Sequence, residues 1–494
     1  MHIPRFTHTC IRQYIAPLAL SIVVVVSGGC ALIPQQPTPV TDQVNIVSPM
    51  AQHNTGALPF ADQNVAEDWW TQFNDSTLNT LVLRAERNNL DIKLALNRIA
   101  QAKAQLGISE AHKAPQVSAF SSVVREDISD NGKFAALGAK PDGNSYWQAG
   151  FDISWELDLW GRLDYLTDAA KQGLNASVFD AAAVQVLLRA NVVSHYFELR
   201  GAQQQLALAQ REYELSEQAL NMAVSQYRNG VTGKASVAQS KAKVANVAAK
   251  IPHLQAQVDQ RMNQLAWLSG EPPKALTAML SAHTQQPSLP TRIPLQLDGD
   301  LAQQRPDIKV AAAKLSQAVA TVGVAHADFY PSISLNGRTG FEAFNTDALS
   351  NWDGAFFAVG PTVYLPIFQG GKLERRLTLT QEKQAAAALE YRKTVLKAWH
   401  EVDDALSDLQ ATYAEHQALS EAYNALALVL RHTETGYAQG SMSHMDVIQA
   451  NEQMTHGEQL MQQSQTKLNI ALVTLYKALG GGWQQADVAK EDAL

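Results

Sequence analysis

Cysteine is nearly missing. Cys10 and Cys30 are the only two in 494 residues, so no disulfide framework is available and stability must come from burial and assembly. Charged residues are also scarce, at 17%, and the formal net charge of −8 argues against nucleic acid as a partner. Aromatics make up only 7%, a composition that suits long helices with small-residue seams better than a compact aromatic core. Signatures of catalysis are lacking as well. The histidines are scattered, with no His-Glu-x-x-His or Cys/His ligand pattern, so neither a metal site nor a cofactor is expected. The run Phe368-Gln-Gly-Gly371-Lys372-Leu373 fails as a phosphate loop, because Pro366 stands where the first glycine is required and Leu373 where Ser or Thr is required. Asp152, Glu156 and Asp158 alternate along one segment and read as the solvated face of a strand rather than as paired catalytic carboxylates. No catalytic residue is assigned and no enzyme is expected.

The N-terminus carries an address. Arg5 and Arg12 precede an apolar run from Tyr14 to Val26, then come Ser27-Gly28-Gly29 and Cys30. This is the layout of a secretory signal, and the run is too short for a membrane-spanning helix. Small residues ending at a cysteine fit a lipoprotein signal over 1–29, with Cys30 the lipidated first residue of the mature chain. The alternative is an ordinary signal peptide cut nearby. Residues 30–64 begin with Pro34-Gln-Gln-Pro37-Thr-Pro39 and read as a polar tether.

What the sequence does hold, it holds twice. Asp91-Ile92-Lys93 with Gln101, Ala104, Gly107, Pro115 and Ser118 recurs as Asp307-Ile308-Lys309 with Gln317, Ala320, Gly323, Pro331 and Ser334, at a constant offset of 307 − 91 = 216. Tyr227 to Gly230 recurs as Tyr437 to Gly440, at an offset of 437 − 227 = 210. The duplicated unit is far longer than a solenoid repeat, so each copy is a half-domain. The copies are placed at 65–272 and 297–482, joined by a linker at 273–296 and followed by a tail at 483–494.

Each copy has the same plan. In the first, a helical stretch over about 75–110 carries Leu78, Ala85, Ile92, Ile99 and Leu106 seven apart. A strand pair follows over about 115–159, where Phe151 to Leu159 alternates strictly and is long enough to cross a bilayer within a barrel. A helical hairpin over about 162–268 comes next, with Val192, Leu199, Leu206, Tyr213, Leu220 and Tyr227 again seven apart. In the second copy the strand pair is expected over about 331–366 and the hairpin over about 372–479. Pro361 weakens the last strand, and Pro252 predicts a kink in the first return helix. The hairpins turn at Gly230 and Gly440. Four strands per chain cannot close a barrel, and an open edge cannot face lipid, so membrane strands require several chains to share one barrel.

Four stretches carry a family resemblance: Trp69-Trp70 with Phe73-Asn-Asp75; Leu157-Asp-Leu-Trp160-Gly161-Arg162; Gln304-Arg305-Pro306-Asp307-Ile308 with Phe329-Tyr330-Pro331-Ser332; and Pro366-Ile-Phe368 with Gly370-Gly371-Lys372. In these the chain resembles the TolC-type outer membrane efflux proteins, and most closely the lipoprotein branch that includes OprM and NodT. The resemblance implies a mixed α and β membrane protein and a homotrimer. Each chain would lend four strands to one 12-stranded β-barrel, continuous with a periplasmic α-helical barrel. It implies an outer membrane channel that exports small molecules, served by a periplasmic adaptor protein and an inner-membrane pump, with Cys30 anchored in outer membrane lipid. It also implies that the turns bearing Tyr227, Gly230, Tyr437, Gly440 and Asp446 form the periplasmic aperture, where a ring of Asp446 would concentrate cations. Asp446 equally fits a helix N-cap. Met442 and Ser236 stand where some relatives place an arginine and an aspartate, so an ionic lock is not carried over. The rival reading is a periplasmic coiled-coil lipoprotein that links envelope layers without a pore.

Overall fold

A computed structural model describes residues 58, 60–61, 65–127, 129, 131, 133–138, 143–282, 286–290, 292–294, 305–349 and 351–483. Cys30, the signal over 1–29 and the tail beyond Trp483 lie outside the described residues. Phe60–Ala61 forms a two-residue strand, β1. A carboxylate then starts the first helix: Asp75 accepts from the backbone N–H groups of Thr77 and Leu78 (2.8 and 3.0 Å), and α1 runs Ser76–Asn88. The single helical stretch expected here is divided. The side-chain oxygen of buried Asn89 accepts from Asp91 N–H and Ile92 N–H (2.8 and 3.1 Å), and α2 restarts over Leu90–Ala111. Satisfying those two donors outweighs the seven-residue seam that reads continuously through the break.

The strand pair follows as β2 (Gln116–Glu126) and β3 (Asn144–Leu157), then α3 (Arg162–Arg228) and α4 (Lys234–Leu268). After β4 (Ile293–Pro294), which pairs in parallel with β1, the plan repeats: α5 (Pro306–Ala327), β5 (Ser332–Ala343), β6 (Ala355–Tyr364), α6 (Lys372–Ala438) and α7 (His444–Ala478). The corresponding helices have equal lengths in the two copies: 22 residues in α2 and α5, 67 in α3 and α6, 35 in α4 and α7. The loop between β2 and β3 spans 127–143 and that between β5 and β6 spans 344–354, six residues shorter. This is the step from an offset of 216 to one of 210.

Two compact units divide these elements. The first comprises, among the described residues, Ala102–Leu174 and Lys314–Ala388, and its centre is a four-stranded sheet in the order β2-β3-β5-β6, antiparallel throughout. Pro361 lies inside β6, opposite Leu335. It is tolerated because β6 is an edge strand, where one row of backbone groups has no partner within the sheet.

The second unit comprises, among the described residues, those of Gln43–Gln101, Asn175–Ala313 and Leu389–Leu494, and holds the main apolar core. Leu78, Leu81, Phe197, Leu265 and Tyr476 are fully buried there, each such burial contributing roughly 1.5–3 kcal/mol. The Trp69–Phe73 turn adds a T-shaped contact of Phe73 with Phe197 (4.8 Å) and a tilted one of Trp69 with Tyr476 (5.0 Å). Parts of the segments read as tether and linker pack here too. In the tether, Leu58 is buried and Phe60 packs on the core; in the linker, Leu276, Leu280 and Ile293 are buried. These apolar side chains override the polar, proline-rich composition around them. The assignment of α4 continues through Pro252.

Candidate functional site

Side chains alternate across a strand, so the register fixes which residues share a face. One face of the sheet carries Val117 and Val123 of β2, Phe151, Ile153 and Trp155 of β3, Leu335 of β5, and Phe357, Val359 and Val363 of β6. All of these are exposed, Phe357 to 82% and Val359 to 70%. Aromatic residues mark both ends of the apolar band. Trp155 donates its indole N–H to the Lys113 carbonyl (2.8 Å) at the helix end, while Trp147 and the T-shaped pair Phe341–Trp352 (5.9 Å) lie toward the loops. Trp147 and Trp155 are eight residues apart, roughly 26 Å along the strand and about 20 Å in height at a ~40° tilt, most of the ~25 Å apolar band of a transmembrane barrel.

The opposite face is polar. Ser118, Ser122, Gln148, Asp152, Ser154, Glu156, Ser334, Asn336, Arg338, Glu342 and Thr362 share it by register. Tyr146 Oη and Gln148 Nε2 both donate to Glu342, the latter at 3.1 Å, and Asn336 Nδ2 donates to Thr362 Oγ1 (2.9 Å). Asp152 and Glu156 therefore sit on the solvated side, as their alternation predicts, and each faces an arginine. Asp152 Oδ1 lies 3.3 Å from Arg338 Nε, and Glu156 takes both arms of Arg162 (2.9 and 2.7 Å). Asp158 falls outside the strand and accepts from the Asp164 N–H (2.8 Å), starting α3. A sheet with one greasy and one wet face suits a wall between lipid and water. The helices α3 and α5 are apolar enough in composition to cross a membrane, yet 50% and 56% of their apolar windows are buried in protein.

At the junction of strands and helices, Trp160 and Tyr330 stack, and beside them lies a cleft of about 310 Å³ lined by Trp160, Arg162, Lys372 and Arg376. Arg376 pairs with Asp328 (2.6 Å). The motif residues thus hold the strand ends onto the helix starts.

The two helical hairpins turn by one device. After α3, Val231 N–H donates to Gln226 O (2.8 Å) and Gly230 N–H to Tyr227 O (3.0 Å); after α6, Ser441 N–H donates to Gly436 O (2.9 Å) and Gly440 N–H to Tyr437 O (3.0 Å). This is a Schellman closure, and it needs a left-handed residue: Gly230 has φ +70° and Gly440 φ +76°. Tyr227 and Tyr437 are 39% and 47% exposed, and the Tyr437 ring lies 5.2 Å from that of His444. The return helices begin differently. Gly233 offers no side-chain cap to α4, whereas Ser443 and Asp446 form a capping box at α7. Ser443 donates through Oγ and N to Asp446 Oδ2 (2.7 and 2.8 Å), and these bonds hold the Asp446 carboxyl below the usual carboxylate range. The capping alternative for Asp446 is therefore realised, at the third helical position rather than at the N-cap.

Sequence reasoning passed over Arg338. Its alternation with Asn336 and Glu342 was available as a signal, but its partners lie on other strands.

Known proteins resemble this chain over nearly its full length. The cation efflux system protein CusC of Escherichia coli O6:H1 is 27% identical over 468 residues, covering 92% of this chain and 96% of CusC. The probable outer membrane lipoprotein SilC of Salmonella typhimurium is 26% identical over 481 residues, covering 94% and 98%. The solved structure of the outer-membrane channel OprN superposes with a TM-score of 0.81 at 27% identity, covering 92% of this chain and all of that one. A family model described as outer membrane efflux protein matches residues 81–271 and 298–481, on both sides of the duplication, and the chain belongs to that family.

Proposed function

We propose that three copies of this chain form the outer membrane component of a tripartite efflux system, working with a periplasmic adaptor and an inner-membrane pump. Each copy lends β2, β3, β5 and β6 to one 12-stranded barrel, and the helices continue it as a periplasmic tunnel through which small molecules leave passively. The observation that carries this reading is the two-faced sheet whose outer strands, β2 and β6, each have one neighbour. Open edges cannot face lipid, and three such sheets joined edge to edge leave none. A pore-less linking lipoprotein has no use for such a sheet. Within this reading Cys30 is the lipid anchor, which holds the assembly in the outer membrane without spanning it. The turns bearing Tyr227, Gly230, Tyr437, Gly440 and Asp446 form the aperture and meet the adaptor, and copy two, with its capped helix, carries most of the gating.

Purified protein in planar bilayers tests the channel. Stepwise conductance from a cross-linkable trimer is expected; the absence of any pore from trimeric protein would sink the reading. Labelling with radioactive palmitate tests the anchor, and label persisting in Cys30→Ser would remove that residue's role.

A further inference from the structure

Across the polar face of the sheet, one row reads Phe120, Gly150, Gly340, Phe356 and the next reads Ser118, Asp152, Arg338, Ala358. The two glycines leave a gap between two aromatic rings, and neither position can carry a side chain of its own. A Cβ on Gly150 would lie 2.2 Å from the Thr339 carbonyl oxygen, and one on Gly340 would lie 2.3 Å from that of Ala149. Arg338 uses the gap. Its guanidinium carbon lies 4.0 Å from the centre of the Phe120 ring, two strands away, and 5.9 Å from that of Phe356. With neighbouring strands about 4.8 Å apart, the side chain must lie down across β3 to reach Phe120. A side chain at position 150 would block that path.

This posture decides what the arginine can do. One face of the guanidinium is taken by Phe120, and Nε points at Asp152 (3.3 Å). The two Nη groups have no hydrogen-bond partner among the described residues, and the side chain is 45% exposed. A flat cation with a free pair of donors, set between two rings, matches a carboxylate attached to an aromatic ring. The carboxylate meets the fork and the ring meets Phe356. Glu342, fixed by Tyr146 and Gln148 on the other side of the glycine row, repels a second negative charge and so favours monoanions.

We infer that this trough is a transit site for planar aromatic monocarboxylates on the water-facing wall of the barrel, an inference that rests on the channel reading above. Half exposure and a neighbouring carboxylate keep the site weak, and weak binding is what a conduit needs if cargo is to move on.

The test is conductance of the trimer in potassium chloride with benzoate added to one side. Benzoate is expected to lower wild-type conductance with a half-effect on the order of millimolar. Arg338→Gln should weaken the effect on the order of ten-fold, and Arg338→Lys, which keeps the charge but loses the flat fork, should fall between. Phe120→Leu should weaken it without altering the pore's charge. Stepwise trimer-sized openings of each variant in chloride alone, whatever their amplitude, show that it folds and inserts, and each benzoate effect is read relative to that variant's own chloride conductance. Equal benzoate effects in wild type and Arg338→Gln, or none in a conducting wild type, would overturn the site while leaving the channel intact. A wild type that never conducts removes the channel reading and the site with it.

Discussion

Trp160 lies flat against Tyr330, with ring centroids 5.2 Å apart and 25° between the planes, and its indole N–H donates to the Pro331 carbonyl (2.7 Å). About 170 residues of chain separate the partners, one from each copy of the duplication. Trp160→Phe keeps most of the stack and loses the N–H bond, which should cost about 1 kcal/mol. A thermal melt of the detergent-solubilised protein should shift down by a few degrees, and Tyr330→Leu should go further.

Gly340→Ala should be more damaging than its size suggests. The added carbon would sit 2.3 Å from the Ala149 carbonyl oxygen and 2.8 Å from Gly150 Cα, so β3 and β5 must part. Overpacking of this kind costs about 1–3 kcal/mol. Membrane fractionation should show several-fold less protein in the outer membrane. Gly360→Ala is the control, since no atom lies within 4 Å of the carbon it adds.

Arg305 is a buried cation, 7% exposed, that holds Asp307 Oδ2 (2.7 Å), Glu401 Oε2 (2.6 Å) and the Ala478 carbonyl (2.6 Å). Arg305→Ala leaves two half-exposed carboxylates facing each other, and about 2 kcal/mol of stability should be lost. Burial pushes the Asp307 carboxyl up, but the hydrogen bonds and charge of Arg305 more than reverse this and hold it below the usual range. A depressed carboxylate stabilises the fold above its unfolded pKa, and that contribution is lost as pH falls through the folded value. Acid unfolding followed by circular dichroism should therefore steepen below about pH 4 in the wild type, and Asp307→Asn should flatten that limb.

Asp446 should be a poor pH sensor. Because the Ser443 bonds lower its pKa, it stays ionised from pH 8 down through pH 5, so Asp446→Asn should leave unchanged how the reversal potential in a salt gradient varies with pH over that range. Asp446→Asn should act on the helix start instead, with faster amide exchange over residues 443–447 seen by mass spectrometry. A reversal potential that drifts between pH 8 and 5 in the wild type and no longer drifts in Asp446→Asn would overturn this.

The periodic elements were legible because each has its own local signal. The seven-residue seams of α3, α4 and α7, the alternation after Phe151 and the glycines closing both hairpins all declare themselves within a few turns of chain. The break at Asn89 was hidden because the apolar seam passes through it unchanged, and only the donors of Asp91 and Ile92 explain the interruption. Arg338 was hidden for another reason. Its posture depends on Gly150 and Phe120, which the sequence separates from it by the whole of α3 and α4 and only strand pairing brings near. Asp446 lay between, since a Ser three residues before an Asp is a visible cap, but the same carboxylate fitted an aperture ring equally well.

The equal lengths of the paired helices also say where this protein tolerates editing. One residue added to α3 turns everything after it by about 100° and advances it by ~1.5 Å, while its 67-residue counterpart α6 stays put. Insertions there must be matched in both copies or made in whole heptads. The loop between β2 and β3 has already diverged by six residues from its counterpart between β5 and β6, so epitopes or affinity tags belong at that end of the sheet.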